Sequence, residues 1–496
     1  MNAETIASDW AGRWALYNGN KPALVDLSTQ ETRTYGQWHL DGEYLASYLF
    51  SIGVEKGDRL AVLSTFNLTY FGLFSAAQKL GFVLVPLNYR LNPSEIAYQV
   101  EHAEVKWAFY EETFFNLTDG SSKWVPISSL GKERIMRAFP KAVLSECDPI
   151  FILYTSGTTG FPKGAIYTHG MLLWNSLNTA LRLQVHASDR TLMVMPPFHT
   201  GGWNVLTTPL LHFGATVYFT SKFEANRVVD WLESEEISLF MAVPTMVRML
   251  SEAPSFEQSG FKHLRYFIVG GEPLALDLIE TWAKKEVPIR QGYGLTEAGP
   301  NITSLSERDA YRKRGSIGHP NFYVETRIVK EDGNLAEANE RGELQIKGKV
   351  VSPGYWKQEE ATLKAFDDSN WFKTGDVLTR DEEGFLYVVD RLKNMFISGG
   401  ENVYPAEIER VLLSHPEVQE VAIVPVYDAK WGEVGVAFYV GTNTIKAEDL
   451  REFAARHLAR FKIPKYYFPI ETMPLGDTGK INRKQLAKEA SKLLGR

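Results

Sequence analysis

Cysteine is almost absent from this 496-residue chain: Cys147 stands alone, so no intrachain disulfide can staple the fold. That fits a reducing compartment, and the expectation is a cytoplasmic protein. Long apolar runs are missing as well. The stretches GFVLVPL and TLMVMPPF are strand-sized, far short of the ~18 residues that a spanning helix requires. No integral membrane segment is expected, while peripheral docking through small surface patches stays open. The first residues, MNAETIASDWAGRW, lack a basic leader followed by an apolar core, so they do not read as a secretory signal. A basic excess is lacking too: the formal net charge is −7, which argues against a nucleic-acid partner. Internal repeats and low-complexity segments are absent. What is present is the composition of a soluble globular enzyme, 44% hydrophobic and 23% charged. The length suggests about three domains or subdomains.

From Asp58 to about Lys313, apolar β-type runs alternate with helical patterns. RLAVLSTFN precedes a helix through LTYFGLFSAAQKLG, FVLVPLN precedes PSEIAYQVEHAEV, the strand and loop of residues 149–164 precede a helix from about Met171, and ATVYF precedes EANRVVDWLESEEI. This order predicts largely parallel, doubly wound sheets with ligands at the carboxyl ends of the strands. After about residue 320 the strands shorten and carry turn residues between them, as in a small antiparallel barrel or sheet. Beyond Arg391 two helices and two strands make an α+β segment large enough for its own core. The predicted class is therefore α/β. A large N-terminal lobe, residues 1–390, is expected to hold several subdomains with a β-barrel-like part. A small mobile α+β domain, residues 391–496, follows, with the boundary at Asp390 to Lys393.

Residues 149–164, PIFILYTSGTTGFPKG, carry the most chemistry. Phe151 to Tyr154 read as a buried strand. In the loop that follows, Gly157, Gly160 and Gly164 leave room for a ligand to approach the backbone. Amides and the hydroxyls of Thr155, Ser156, Thr158 and Thr159 can then converge on an anion, and Lys163 adds a full positive charge. That is a polyphosphate cradle suited to a nucleoside triphosphate. It is not the P-loop of NTPases: counted from Gly157 the second glycine position holds Pro162, and Lys163 is followed by Gly164 rather than Ser or Thr. A flexible Gly/Ser/Thr linker is the competing reading, opposed by the preceding strand and the embedded Pro-Lys-Gly.

TSGTTGFPKG closely resembles the motif of the adenylate-forming superfamily, which includes acyl- and aryl-CoA synthetases, peptide-synthetase adenylation domains and firefly luciferase. The resemblance runs from about Thr34-Tyr35 to Leu486, with at least six motifs in family order.

PPFHTGG, residues 196–202, places His199 after a strand. Alone it reads as a capping or buried histidine; the resemblance puts it beside the carboxylate and the α-phosphate. Adenylation domains for amino acids carry an aspartate there. His199 and Thr200 supply no such anion, so an amino-acid substrate is not expected. VGGEPL, residues 269–274, is by itself equally an ordinary strand-to-helix turn; by resemblance Gly271, Glu272 and Pro273 line the adenine. In GYGLTEAGP, residues 292–300, Glu297 follows a glycine-rich turn. A carboxylate aimed at a triphosphate makes sense only with a cation between them, and magnesium suits hard oxygen donors. The resemblance gives Glu297 and Thr155 to that metal, Thr296 to the α-phosphate, and Gly292, Tyr293 and Gly294 to the adenine side. WFKTGD ends on Asp376, whose carboxylate can accept both ribose hydroxyls, although TGD alone also suits a plain turn.

DRLKNMFISGGENVYPAEIE, residues 390–409, is the second strong block. Arg391 can pair with ribose or phosphate oxygens. By resemblance Lys393 marks the hinge, and Ser398, Gly399, Gly400 and Glu401 form a loop that enters the site for thioester formation. GDTGKINRKQL presents Lys480 at the start of a basic segment. Such a tail is usually a solvated helix face, but the matching family lysine bridges the attacking carboxylate and the α-phosphate.

The resemblance implies an ATP- and Mg²⁺-dependent acid–thiol ligase that adenylates a carboxylic acid and transfers the acyl group to coenzyme A. Trp203, Val243, Leu295, Ala298, Gly299 and Pro300 are expected to line the acid pocket with Tyr293. No Arg or Lys stands among them for a second carboxylate, so a monocarboxylate is expected. The reading leans to a medium- or long-chain fatty acid, with an aromatic acid of the coumarate or benzoate kind as the alternative. Transfer to a carrier protein or to oxygen, and a homodimer, stay open. A non-enzymatic nucleotide binder is disfavoured by Lys163, Glu297, Asp376, Arg391 and Lys480 occurring together.

Overall fold

The computed structural model describes residue 6 and residues 9–130, 134–155, 162–271, 274–398, 401–442, 445–476 and 480–495. They form two compact units. One comprises Met1–Leu274, Leu278–Thr326 and Ile346–Phe372; the other comprises Ala275–Asp277, Arg327–Gln345 and Lys373–Arg496.

The first unit is built on two sheets, where the strand–helix alternation of the sequence reads as one continuous series. A six-stranded sheet runs in the order Trp124–Pro126, Val105–Tyr110, Arg59–Leu63, Val83–Pro86, Pro149–Thr155, Lys163–Thr168. Its first five strands are parallel and the last pair is antiparallel. A nine-stranded sheet runs in the order His319–Pro320, Gly299–Ser304, Ile289–Leu295, Tyr266–Val269, Leu239–Ala242, Arg190–Met193, Thr216–Phe219, Pro22–Asp26, Glu31–Thr34. Its centre is parallel, as expected, and antiparallel hairpins close both edges.

The helix Leu68–Leu80 is buried from Tyr70 to its end, the mark of a helix covered on every side. Asn67 caps it by accepting from the Tyr70 amide at 2.9 Å. Its rings reach both sheets: Phe71 lies 5.0 Å from Phe219 and Phe74 lies 5.9 Å from Phe151. Trp203 completes this core. It is fully buried among Phe66, Tyr70, Phe71, Phe74 and Phe151, and its indole N–H donates to the Pro197 carbonyl at 2.9 Å.

One local expectation needs correcting. The phosphate-loop motif reads as a strand leading to a helix near Met171, but the antiparallel strand Lys163–Thr168 intervenes before the helix His169–Leu183. GAIYT is short and β-prone, and pairing with Pro149–Thr155 satisfies its backbone groups. Thr168 then caps the helix, its hydroxyl accepting from the Met171 amide at 3.1 Å.

The second unit holds most of a four-stranded sheet, ordered Glu325–Val329, Gly342–Lys347, Phe372–Arg380, Leu386–Arg391. It also holds a sheet ordered Glu401–Val403, Phe396–Ser398, Gly432–Gly441, Val418–Asp428, with Tyr466–Pro469 parallel to Gly432–Gly441. The helices Pro405–Leu413, Ala447–His457 and Arg483–Leu493 complete its α+β character. Among the described residues no helix is long and apolar enough to cross a membrane.

Candidate active site

In the first unit, the motif residues leave the carboxyl ends of strands, as the topology requires. Thr155 is the last residue of Pro149–Thr155, and Lys163 opens the returning strand opposite it. Glu297 sits in the turn between Ile289–Leu295 and Gly299–Ser304, where the Ala298 amide donates to the Leu295 carbonyl at 3.2 Å. This hairpin needs glycine at 294: a Cβ there would stand 2.2 Å from the Pro300 backbone.

The structure brings these stretches together. Thr155 Oγ1 lies 3.4 Å from Glu297 Oε1, although the two residues are 142 positions apart. The same carboxylate oxygen accepts a hydrogen bond from the Tyr355 hydroxyl at 3.0 Å. The Lys163 ammonium stands 5.0 Å from the centre of the Tyr355 ring, within cation–π reach. Burial first, then the adjacent Glu297 carboxylate, push the Tyr355 phenol well above its usual range, so it stays a donor. Sequence reading missed Tyr355. The available signal, Pro353-Gly354 followed by two aromatics, reads equally well as the edge of a core.

These oxygens are hard donors, and a half-buried carboxylate meeting a hydroxyl fits magnesium. Among the described residues, one group of three acidic or imidazole side chains has metal-ligand spacing elsewhere, namely Asp9, His39 and Glu43. The buried Lys79 ammonium already occupies it, paired with Asp9, 3.1 Å from His39 Nδ1 and 3.6 Å from Glu43. That cluster is an ammonium site.

His199 precedes the short helix Thr200–Asn204, half-buried, with its ring 4.6 Å from that of Phe198. Tyr293 faces Thr303 across the hairpin and is half-buried, as are Gly292, Gly294, Leu295, Thr296 and Pro300. Gly271 follows the strand Tyr266–Val269 at φ +91°, and a Cβ on it would come 4.0 Å from Val243. Of the residues expected along an acid pocket, Val243 is half-buried while Trp203 and Ala298 are fully buried. Trp203 belongs to the aromatic core beneath His199, and its indole is already spent on Pro197. A narrow crevice opens nearby, lined by Met193, Met195, Gly201, Leu206, Thr207 and Met241 among others.

The second unit gathers a different set. Asp376 lies within the strand Phe372–Arg380, 3% exposed, and pairs with Arg391 across the ladder at 3.0 Å. Lys393 is open to solvent, but protein atoms crowd its ammonium. That desolvation first, then the charges of Arg391, Lys480 and Lys484, hold it below the usual lysine range, while Asp376 acts the other way. Lys480 is exposed, and its carbonyl accepts from the Gly476 amide at 2.7 Å. Ser398 is buried and pairs with Glu401 and Gly432. Three expected cations and one acid therefore share one electrostatic neighbourhood. Ser156, Gly157, Thr158, Thr159, Gly160, Glu272, Pro273, Gly399 and Gly400 lie outside the described residues.

Residues 12–356 match the family described as AMP-binding enzyme, and residues 407–480 match the AMP-binding enzyme C-terminal domain. The chain is 36% identical over 483 residues to the long-chain-fatty-acid–CoA ligase FadD13 of Mycobacterium tuberculosis, covering 95% of each chain. It is 36% identical over 484 residues to a 2-succinylbenzoate–CoA ligase of Bacillus velezensis, covering 97% of this chain and 98% of that one. The solved O-succinylbenzoate coenzyme A synthetase (MenE) of Bacillus subtilis, in complex with ATP and magnesium ion, superposes with a TM-score of 0.88 at 31% identity. It covers 98% of this chain, and all of that chain is covered. The chain thus belongs to the AMP-binding enzyme family of adenylate-forming enzymes, in its acyl-CoA synthetase (acid–thiol ligase) branch.

Proposed function

We propose that this ligase uses ATP to adenylate a carboxylic acid, releasing pyrophosphate, and then passes the acyl group to coenzyme A, releasing AMP. The observation that carries the reading is the meeting of Glu297, Thr155 and Lys163 where the motif strands end. An acid and ATP are both anions. Joining them needs positive charge and fixed geometry more than a general base.

Thr155 and Glu297 would hold the Mg²⁺ of MgATP. Bound there, the ion neutralises charge on the leaving pyrophosphate. Lys163 meets the polyphosphate, and Thr296 and His199 face the α-phosphate and the acid. Gly271, Gly292, Tyr293 and Gly294 receive adenine. Asp376 and Arg391 take the ribose, Lys480 bridges the acid and the α-phosphate, and Lys393 marks the hinge between residues 1–390 and 391–496. In the second half-reaction the segment starting at Ser398 takes the place of Lys480, so one site serves two reactions. A cytoplasmic setting belongs to the same reading.

For the acid, a medium- or long-chain fatty acid is favoured. FadD13, 36% identical over 483 residues, is named for long-chain fatty acids. An aromatic acid is the second reading, favoured by the relatives named for 2-succinylbenzoate. Pyrophosphate–ATP exchange over a panel of fatty and aromatic acids, with AMP release measured with and without coenzyme A, tests both readings. Fatty acids of about eight carbons or more should give the highest kcat/KM, with AMP release dependent on coenzyme A. Exchange with aromatic acids alone would select the second reading, and AMP release indifferent to coenzyme A would exclude it as the acceptor.

A further inference from the structure

Tyr355 lies outside every motif discussed above, yet it touches two residues of the proposed phosphate site. Its placement is tightly determined. Residues 352–356 run beside the strand that carries Lys163: Ala165 and Tyr355 form an antiparallel bridge, the Trp356 amide donates to the Gly164 carbonyl at 2.8 Å, and the Ile166 amide donates to the Gly354 carbonyl at 3.1 Å. The Tyr355 amide donates to Thr362 Oγ1 at 2.9 Å. Gly354 has φ +138°, and a Cβ there would stand 2.3 Å from the Thr362 side chain, so the turn ahead of the tyrosine accepts only glycine. At the other end of the same segment, the Ser352 amide donates to the Glu297 carbonyl at 2.7 Å. One short stretch thus fastens the returning strand to the acidic turn.

From this anchored backbone the phenol projects between Glu297 and Lys163. Its hydroxyl donates to Glu297 Oε1, the oxygen that Thr155 also approaches. Among the described residues Glu297 Oε2 accepts no hydrogen bond. Fixing one carboxylate oxygen with a neutral donor sets the rotamer and turns the other oxygen outward, as partners behind metal ligands do. The ring face meanwhile gives the Lys163 ammonium a resting place.

We propose that Tyr355 is a positioning residue. Through its hydroxyl it aims Glu297 at the cation of MgATP, and through its ring it keeps Lys163 from pairing directly with Glu297. The inference rests on the proposed adenylation site. A hydrogen bond to a carboxylate is stronger than a neutral one, so losing the hydroxyl should weaken divalent-cation affinity about tenfold.

Tyr355→Phe removes the hydroxyl and keeps the ring; Tyr355→Leu removes both. Each variant is titrated calorimetrically with a non-hydrolysable ATP analogue at a series of Mg²⁺ concentrations, and pyrophosphate–ATP exchange is followed over the same series. Tyr355→Phe should need about tenfold more Mg²⁺ for half-maximal nucleotide binding and exchange. Its thermal midpoint should be unchanged, and kcat at saturating Mg²⁺ should lie within about twofold of wild type. Tyr355→Leu should in addition bind the analogue more weakly at saturating Mg²⁺, because Lys163 is no longer held apart. An unchanged Mg²⁺ requirement in Tyr355→Phe overturns the proposal. So does a parallel fall in thermal midpoint and kcat with no change in that requirement, the outcome of a merely structural role. If the wild type exchanges with no acid, the adenylation reading fails, while the calorimetric arm still decides the role of Tyr355.

Discussion

Arg483 follows the proposed catalytic lysine, Lys480, by three residues and ties that segment to the second unit's core. Its guanidinium grips Glu409 with both arms, at 2.5 and 2.8 Å, and also donates to the Ile423 carbonyl at 2.9 Å. Glu409 accepts from the Ile423 amide as well, at 2.7 Å. The helices Pro405–Leu413 and Arg483–Leu493 are thereby joined through the strand Val418–Asp428. At an effective dielectric of about 20, charges roughly 3 Å apart attract by about 5 kcal/mol. Desolvation opposes much of this, and the side chains are 29% and 11% exposed, so screening takes a further share.

Arg483→Met leaves Glu409 ionised and nearly buried with one backbone donor, and should cost about 2–3 kcal/mol, below the ~3–5 kcal/mol of a fully buried broken pair. Arg483→Met with Glu409→Gln removes the orphaned charge yet keeps an acceptor for the Ile423 amide, so about half of that loss should return. Urea unfolding of the three proteins, with pyrophosphate–ATP exchange in parallel, gives both readouts. Exchange should fall in Arg483→Met and recover partly in the double variant, because Lys480 depends on the same anchor. Equal stability of wild type and Arg483→Met, or no recovery in the double variant, would refute the reasoning.

Lys480→Ala should lose most adenylation while still converting supplied acyl-adenylate to the thioester; equal loss of both half-reactions would remove Lys480 from its proposed role. Burial pushes the His169 imidazole down to about 4 from its usual 6.5, and the ring is 2% exposed. The folded state therefore disfavours protonation. This stability is fully present above about pH 6.5 and is lost as pH falls toward 4, up to about 3 kcal/mol. The thermal midpoint measured from pH 7 to 4.5 should fall less steeply in His169→Leu than in wild type; identical slopes would exclude His169 as a source of acid sensitivity.

The sequence on its own determined a great deal. Strand–helix alternation points to parallel sheets, because parallel strands need crossovers, and the motif residues of the first unit stand at strand ends for that reason. The family was legible because TSGTTGFPKG, GYGLTEAGP and GKINRKQL are local patterns. Only the tertiary structure decided which strands pair. The alternation divides into two sheets, and Pro22–Asp26 joins the edge of the second through Thr216–Phe219, nearly two hundred residues away. Periodicity reports which face is buried, not which partner buries it. Trp203 illustrates the difference: beside a motif it reads as a pocket wall, but rings from residues 66–74 and from Phe151 enclose it. Tyr355 is the converse case. Nothing local marks it, and its hydroxyl meets Glu297 only because a strand pairing carries it across 58 residues. Short patterns record the chemistry of a loop, whereas contacts between remote segments arise from packing, which no local pattern encodes.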